Sequence, residues 1–174
     1  MKLLLVDESK AKNYILCVVE IPKDKAAHFR PLVNSVRKKG QSTVHFVSES
    51  PARKRQILQK YSELDLRCVN YVVKGITETE SRAMCIEALV EGLDAANNYE
   101  MIFDLDANYL AADKRILQNN LARRGLGKLV EYRHEEPRSE QLLWLPDALA
   151  WATARGGAWK SQLSKFNLIT KELN

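Results

Sequence analysis

Apolar runs separated by polar turn residues divide the chain into candidate strands. Residues 2–7 and 13–21 are rich in β-branched and aliphatic side chains, and only a short polar piece separates them, a spacing typical of a β-hairpin. Further runs of this kind occur at 43–47, 66–74, 99–104 and 129–133. We therefore predict six strands, of which 129–133 is the last.

Helical periodicity with capping signals occupies the stretches between these strands. Ser50 followed by Pro51 is typical of a helix N-terminus, and Thr77 with Glu80 matches a capping box. Pro31 should kink or interrupt the helix that contains it. The predicted helices are 22–39, 51–64, 77–97, 111–124 and 140–155.

The order of these elements determines the fold class that we expect. Two antiparallel strands come first, and helices and strands then alternate until a helix closes the chain. Such alternation is typical of an α/β domain with a largely parallel sheet and helices on its faces. The chain has 174 residues, which suits one domain better than two. We expect a single domain over 1–155, with 156–174 as a C-terminal tail that packs on it.

Composition and charge narrow the classes of protein that fit this pattern. Apolar residues make up 45% of the chain and charged residues 28%, a globular composition that excludes disordered and fibrous proteins. No apolar run approaches the roughly 20 residues of a membrane-spanning helix, and Asp7 and Glu8 end the first run too early for a signal peptide. We expect a cytoplasmic protein without a membrane partner. The net charge of +5 favours nucleic acid as a partner without requiring it.

Three aspartates stand at positions that an α/β fold brings together. Asp7 and Asp104 each end a predicted strand, and ligands of open α/β sheets bind beyond the carboxyl ends of such strands. Asp147 lies in the otherwise apolar segment 142–152, where a carboxylate needs a cation, a metal or hydrogen-bond donors. Each also has a simpler explanation: acids often end strands where the chain meets water, and an acid early in a helix is favoured by the helix dipole.

These carboxylates have the chemistry of a metal site. Clustered oxygen ligands suit hard divalent cations, so the cofactor that we expect is Mg²⁺ or Mn²⁺. A pair of such ions can activate a water and stabilise the leaving oxygen in phosphodiester hydrolysis. Glu8 and Asp106 lie beside the two strand ends and are further candidate ligands, although Asp106 fits a turn that caps the next helix equally well.

A histidine and a basic helix start lie in the middle of the chain. His45 belongs to a predicted strand, and Arg53, Lys54 and Arg55 lie in the first turns of the next helix, where cations oppose the helix dipole. A phosphate backbone would compensate them, and we expect the three cations and His134 to bind nucleic acid. The alternatives are a solvated basic face for the cations, a satisfied half-buried imidazole for His45 and loop surface for His134.

Three tryptophans lie towards the C-terminus. Trp144, Trp151 and Trp159 are aromatic surfaces on which nucleic-acid bases could stack. Trp144 and Trp151 lie on one helical stripe, however, and aromatic residues in that arrangement are more often part of a core. Core packing is therefore the expected role of these two.

The ends of the chain resemble a known family. Asp7-Glu8-Ser9 after the first strand, His45 before a basic helix, and the closing segment Leu-Leu-Trp-Leu-Pro-Asp-Ala-Leu-Ala at 142–150 are similar to bacterial domains of unknown function with a ribonuclease H-like fold. The resemblance spans nearly the whole chain. It implies a mixed sheet flanked by helices, in which the first strand, a middle strand and the last helix supply carboxylates to divalent ions. By this resemblance the ligands are Asp7, Asp104 and Asp147.

The carboxylates and the resemblance together predict an activity. We expect a metal-dependent nuclease that hydrolyses RNA, DNA or a hybrid, with His45 assisting proton transfer or positioning phosphate. The family often has an acid two residues before the histidine, where this chain has Thr43, so Glu49 or Glu8 is expected to be the fourth catalytic acid. One alternative is a non-catalytic module that holds nucleic acid or a partner protein, and another is an enzyme for small phosphorylated molecules.

Overall fold

The first two strands form the hairpin that their apolar runs predict. In the computed structural model, which describes residues 1–174, β1 (Lys2–Ser9) and β2 (Tyr14–Pro22) pair antiparallel. Residues 3–6 are buried, as expected for a strand that is covered on both faces. This strand therefore lies inside the sheet, with helices above and below it.

Four further strands complete one mixed sheet. They are β3 (Arg67–Val73), β4 (Tyr99–Asp104), β5 (Val130–Glu135) and β6 (Asn167–Glu172). The strand order is β5-β4-β1-β2-β3-β6. The β2–β3 pair is antiparallel, like the hairpin, whereas β1–β4, β4–β5 and β3–β6 are parallel. The carboxyl ends of β1, β4 and β5 consequently meet at one end of the sheet.

Six helices cover the two faces of this sheet. One face, which we call the α5 face, carries α1 (Ala26–Asn34), α2 (Pro51–Ser62), α5 (Trp144–Arg155) and the short α6 (Lys160–Leu163). The other, the α3 face, carries α3 (Glu78–Glu91) and α4 (Leu110–Arg123). None of these helices has the length and apolarity that a bilayer crossing requires.

The sheet separates two hydrophobic cores, and this separation positions the acids at the end of β1. Leu5 belongs to the core of the α5 face and Val6 to the core of the α3 face. Successive side chains of a strand point to opposite faces. Asp7 therefore continues the α5 face, and Glu8 continues the α3 face.

The helix starts agree with their capping signals. Ser50 accepts a hydrogen bond from the backbone N–H of Arg53 at the start of α2, and Thr77 and Glu80 form the reciprocal capping box of α3. These interactions satisfy N–H groups that a helix leaves without partners in its first turn. The capping predictions are thus confirmed at both helices.

The connection between β2 and β3 differs from the prediction. Residues 43–47 do not form a strand; the chain there is a loop with a short 3-10 turn at Phe46–Ser48. Val44 and Phe46 are nevertheless buried, so the loop shows the alternation of a half-buried strand without pairing to the sheet. The connection contains two helices and no strand, and β3 pairs antiparallel with β2.

Two helix ends and the last strand also differ from prediction. α1 ends at Asn34, shortly after Pro31, and α3 ends at Glu91, where Gly92 follows. The prediction that 129–133 is the last strand is wrong, because the tail 156–174 contributes α6 and β6 to the same fold. β6 is an edge strand with mostly exposed side chains, so it lacks the apolar pattern by which the other strands are recognised.

Candidate active site

Three aspartates from separate elements line one open cleft at the carboxyl end of β1. Asp7 ends the buried part of β1 and Asp104 ends β4, the parallel neighbour of β1. Asp147 lies in the first turn of α5, which crosses the same face. All three line a cleft of ≈ 490 Å³, together with Glu8 and His45. The structure therefore brings together the three acids that the sequence singles out.

Asp147 also joins the loop before α2 to this cleft. Its Oδ2 accepts a hydrogen bond from the backbone N–H of Phe46, at 3.3 Å. This contact places the exposed His45 at the rim of the cleft. The position of Asp147 in a first helical turn satisfies the simpler explanation as well, because the helix dipole favours a carboxylate there.

The carboxylates of the cleft carry unfavourable charge. Burial, followed by the charges of Asp147 and Asp104, raises the pKa of Asp7 well above its usual value. Burial likewise raises the pKa of Asp147 to about 6, with a contribution from Asp104, and burial and the charge of Glu8 raise the pKa of Asp104. Like charges held this close disfavour one another's ionisation. Ionisation of all three carboxylates together is therefore unfavourable unless positive charge reaches the cleft.

None of the three aspartates forms an ion pair with a Lys or Arg, although the charge of Arg82 partly offsets the rise in the pKa of Asp104. Lys10 is the one Lys or Arg that lines the cleft, and its Nζ pairs with Glu8 at 3.4 Å and with Asp106 at 3.2 Å. The Oδ1 atom of Asp104 is buried without a hydrogen-bond partner. A buried carboxylate oxygen in this condition is costly unless a cation or donor reaches it.

The donor set fits a divalent cation. Mg²⁺ and Mn²⁺ take carboxylate oxygens as ligands and keep several waters, so that a site needs only a few protein carboxylates. No group of three or more His, Cys, Asp and Glu side chains is already arranged to hold a metal ion. The residues that would supply oxygens are Asp7, Asp104 and Asp147, which line the cleft together.

Glu49 lies outside the cleft, contrary to its expected role as fourth acid. Its carboxylate accepts a hydrogen bond from Gln41 and pairs with Lys38 at 3.1 Å and Arg53 at 3.5 Å. Burial alone would raise the pKa of Glu49, but the partners Gln41 and Lys38 lower it. This side chain is therefore used in holding the loop to α2. Glu8, the other candidate, lines the cleft.

The basic residues at the start of α2 divide into structural and free cations. Arg53 donates to the carbonyl oxygen of Val36 and pairs with Glu49. Lys54 is buried, and its Nζ donates to the carbonyl oxygens of Val47 and Glu49. The expectation that these two contact nucleic acid is thus not met by their placement. Arg55 is exposed.

His134 and Asp106 are engaged away from the cleft. The imidazole of His134 lies on the α3 face, stacked on Phe103 at 5.2 Å, with its Nε2 2.9 Å from Asp113 Oδ2. It is too buried to bind nucleic acid, and the loop-surface alternative is wrong as well. Asp106 accepts the backbone N–H of Asn108, which is the turn that the sequence offers as the alternative to a metal ligand.

Sequence reasoning missed a buried ionic network on the α3 face. Arg82 donates two hydrogen bonds to Asp113, both at 2.7 Å, and its Nη1 lies 2.8 Å from Glu8 and 3.1 Å from the Tyr14 hydroxyl. With His134, these four side chains form what we call the Arg82 network. A signal was present: Arg82 and Asp113 each stand on the apolar stripe of their helix, and opposite charges there indicate a buried pair.

Comparisons with known proteins add no relative. A scan of the chain against models of known protein families gives no match, and a search of curated proteins gives none either. The geometry of the cleft therefore carries the functional interpretation.

Proposed function

We propose that this chain is a metal-dependent nuclease of the ribonuclease H-like type, which hydrolyses phosphodiester bonds of RNA, DNA or a hybrid. One observation carries the proposal: Asp7, Asp104 and Asp147 line one open cleft, and none of them forms an ion pair with a Lys or Arg. A purely structural site of this kind would be destabilising, because it holds buried and half-buried like charges together without an ion-pair partner.

The positions of the acids support the ribonuclease H-like assignment. They come from the first strand, the strand beside it and the last long helix, which are the elements that the sequence resemblance implies. The mixed sheet supports the assignment in the same way. Neither feature depends on the identity of the substrate.

The residues of the cleft have separate roles in this proposal. Asp7, Asp104 and Asp147 would hold Mg²⁺ or Mn²⁺, with waters as the remaining ligands, because the carboxylate of Glu8 is already paired with Arg82. Such ions, when bound, supply an activated water and neutralise charge on the leaving oxygen. His45, exposed at the rim, is placed to hold a phosphate oxygen or to exchange a proton at a ring nitrogen. Trp144 and Leu105 form an apolar wall beside the acids.

Metal-dependent cleavage by matched variants tests the proposal. Labelled RNA, DNA, duplex and hybrid substrates would be incubated with Mg²⁺, Mn²⁺ or a chelator. We expect cleavage only with metal, and a loss of at least about 100-fold in Asp7→Asn, Asp104→Asn and Asp147→Asn, since even an outer-shell partner of a metal site is worth about 10–100-fold.

Asp24→Asn is the matched control, because Asp24 is exposed beyond the opposite end of the sheet and its loss should leave the rate unchanged. Cleavage that persists in chelator or in Asp7→Asn would contradict the proposal. Salt-sensitive binding of nucleic acid without cleavage, unaffected by chelator, would support the non-catalytic alternative instead.

A further inference from the structure

A second open space lies beside the cleft, between the start of α2 and the end of α5. It has a volume of ≈ 470 Å³, and Val47 and Trp151 line both this space and the acidic cleft. We call it the aromatic groove. Its other lining residues are Pro51, Lys54, Arg55, Arg155 and Trp159. None of these is acidic, so the charge changes sign from the cleft to the groove.

Aromatic rings and cations alternate along the groove. Trp151 and Trp159 meet edge to face with ring centroids 5.1 Å apart. The Arg55 guanidinium lies 5.3 Å from the Trp159 ring centroid, and Lys54 Nζ lies 4.4 Å from that of Trp151. Both tryptophans are partly exposed, unlike Trp144, which is 1% exposed. Aromatic faces next to cations are the features on which unpaired nucleobases stack.

Two arginines of the groove have no partner elsewhere in the chain. Arg55 and Arg155 are exposed, and neither forms an ion pair with an acid; Arg55 contacts only the Trp159 ring. The position of Arg55 near the start of α2 is opposed by the helix dipole. Val47 beside them is 65% exposed, an unusual position for an apolar side chain of the rim. These groups are placed to bind an anionic partner with apolar surfaces.

If the acidic cleft binds a polyanion, a cationic surface must lie next to it. Its one Lys or Arg, Lys10, already pairs with Glu8 and Asp106. The cleft itself therefore offers little to attract a phosphate backbone before a metal binds, and the strand must be held by cations outside it. The aromatic groove is adjacent, shares a wall with the cleft and carries free guanidinium groups.

We propose that the aromatic groove binds unpaired nucleotides that flank the phosphate in the cleft. A base stacks on Trp159, and Arg55 and Arg155 pair with the adjoining phosphates. Bases in a duplex are already stacked on one another, so the groove selects single-stranded nucleic acid or a single-stranded flank. The proposal rests on the proposed function only for the reaction in the cleft, since binding in the groove requires neither metal nor cleavage.

Binding to a fluorescent oligothymidylate in chelator tests the groove without any reaction. We expect Trp159→Leu to weaken binding by about 10–100-fold, which corresponds to the loss of one base stack, whereas Trp159→Phe keeps an aromatic face and most of the affinity. A blunt duplex should bind more weakly and respond little to Trp159→Leu. Cooperative urea unfolding of each variant verifies that it is folded.

Arg55→Ala tests the cationic part of the groove with a substitution on the protein surface, which leaves the hydrophobic core unchanged. It should weaken binding and lower the slope of log affinity against log salt by about 0.7 for each phosphate that the arginine neutralises in the wild type. Arg115→Ala is the matched control, because Arg115 is an exposed, unpaired arginine on α4 on the opposite face. Equal effects of Arg55→Ala and Arg115→Ala would overturn the proposal, as would equal binding by wild type, Trp159→Leu and Trp159→Phe.

The outcomes separate this proposal from the nuclease proposal. If Trp159→Leu binds oligothymidylate as the wild type does and metal-dependent cleavage is intact, the groove proposal is contradicted and the nuclease proposal is not. If binding depends on the aromatic ring but the wild type cleaves no substrate, the groove proposal is supported and the nuclease proposal is contradicted. Polyglutamate that competes as strongly as oligothymidylate would show an acidic protein partner instead and would overturn the proposal.

Discussion

Asp7 and Glu8 are consecutive residues of β1, yet their charges meet opposite surroundings. Asp7 faces α5, where Asp104 and Asp147 add like charge and no side-chain cation compensates it. Glu8 faces α3, where Arg82 lies 2.8 Å from its Oε2. A change of one position along a strand thus separates a carboxylate without an ion-pair partner from one that pairs with Arg82.

The difference shows how a structural carboxylate can be distinguished from a candidate ligand. In the Arg82 network, burial alone would raise the pKa of Asp113, but hydrogen bonds from Arg82 and His134 lower it. Groups of the chain itself therefore compensate the charge of Asp113, and within the network only Nδ1 of His134 is buried without a hydrogen-bond partner. In the cleft the pKa values are raised instead, because burial and like charge outweigh the hydrogen bonds that these carboxylates accept. Substitutions on either side of β1 should therefore have different consequences.

Removing Arg82 should have the largest effect on stability. Arg82→Met leaves Asp113, which is 0% exposed, without its main partner, and breaking a buried ion pair from one side typically costs about 3–5 kcal/mol. Urea unfolding of the metal-free protein measures this loss. Arg115→Met on the exposed surface of α4 is the matched control and should change stability by less than about 0.5 kcal/mol. A similar small change for Arg82→Met would show that the network contributes little.

The contribution of the cleft to stability should decrease as the pH rises, whereas that of the Arg82 network should decrease as the pH falls. The folded-state pKa of Asp147 is about 6 against an ordinary 3.8, so its contribution is fully present below the ordinary value and is lost as the pH rises through about 6. The loss is on the order of 3 kcal/mol when a shift of about two pKa units is converted to free energy. Unfolding in chelator at several pH values measures it.

Asp147→Asn should reduce the dependence of the free energy of unfolding on pH, because the amide does not titrate. Asp24→Asn should leave this dependence unchanged. The Arg82 network works the other way, since the lowered pKa of Asp113 gives stability that is lost only as the pH falls towards strongly acidic values. If the metal-free stability of the wild type changes between pH 4 and 6 in the same way as that of Asp147→Asn, the carboxylate of Asp147 does not have a raised pKa in the folded protein.

Divalent metal should stabilise the folded protein through the cleft alone. A ligand at about 100 times its dissociation constant adds about 2.7 kcal/mol to the free energy of unfolding, and we expect Mn²⁺ to do so in the wild type. Because the ions bind deprotonated carboxylates, the gain should increase as the pH rises. Asp7→Asn should lose the gain and Asp24→Asn should retain it. Stabilisation of equal size in Asp7→Asn would place the metal elsewhere.

The sequence predicts the residues of the acidic cleft better than those of the Arg82 network. Asp7, Asp104 and Asp147 were recognisable because each interrupts or ends an apolar run, and strand ends on one side of a sheet converge. Glu49 lies outside the cleft because Lys38 and Arg53 bind its carboxylate: the contact with Arg53, four residues on, is local, whereas the contact with Lys38 depends on the fold of the loop before α2. In the Arg82 network, opposite charges on the apolar stripes of α3 and α4 indicate a buried pair, but only the fold shows that Glu8, Tyr14 and His134 join it.

The smallest and sharpest test compares the two neighbouring carboxylates directly. Asp7→Asn keeps the oxygen that accepts the backbone N–H of Glu8 and removes one of several like charges, so the metal-free protein should gain about 1–2 kcal/mol. Glu8→Gln removes a charge that Arg82 binds and should cost about 1–2 kcal/mol, near the lower range for hydrogen bonds between charged groups. Urea unfolding of both in chelator at neutral pH gives the signs. Because the two residues are adjacent and the changes are isosteric, equal signs would mean that the two faces of β1 do not differ in charge compensation.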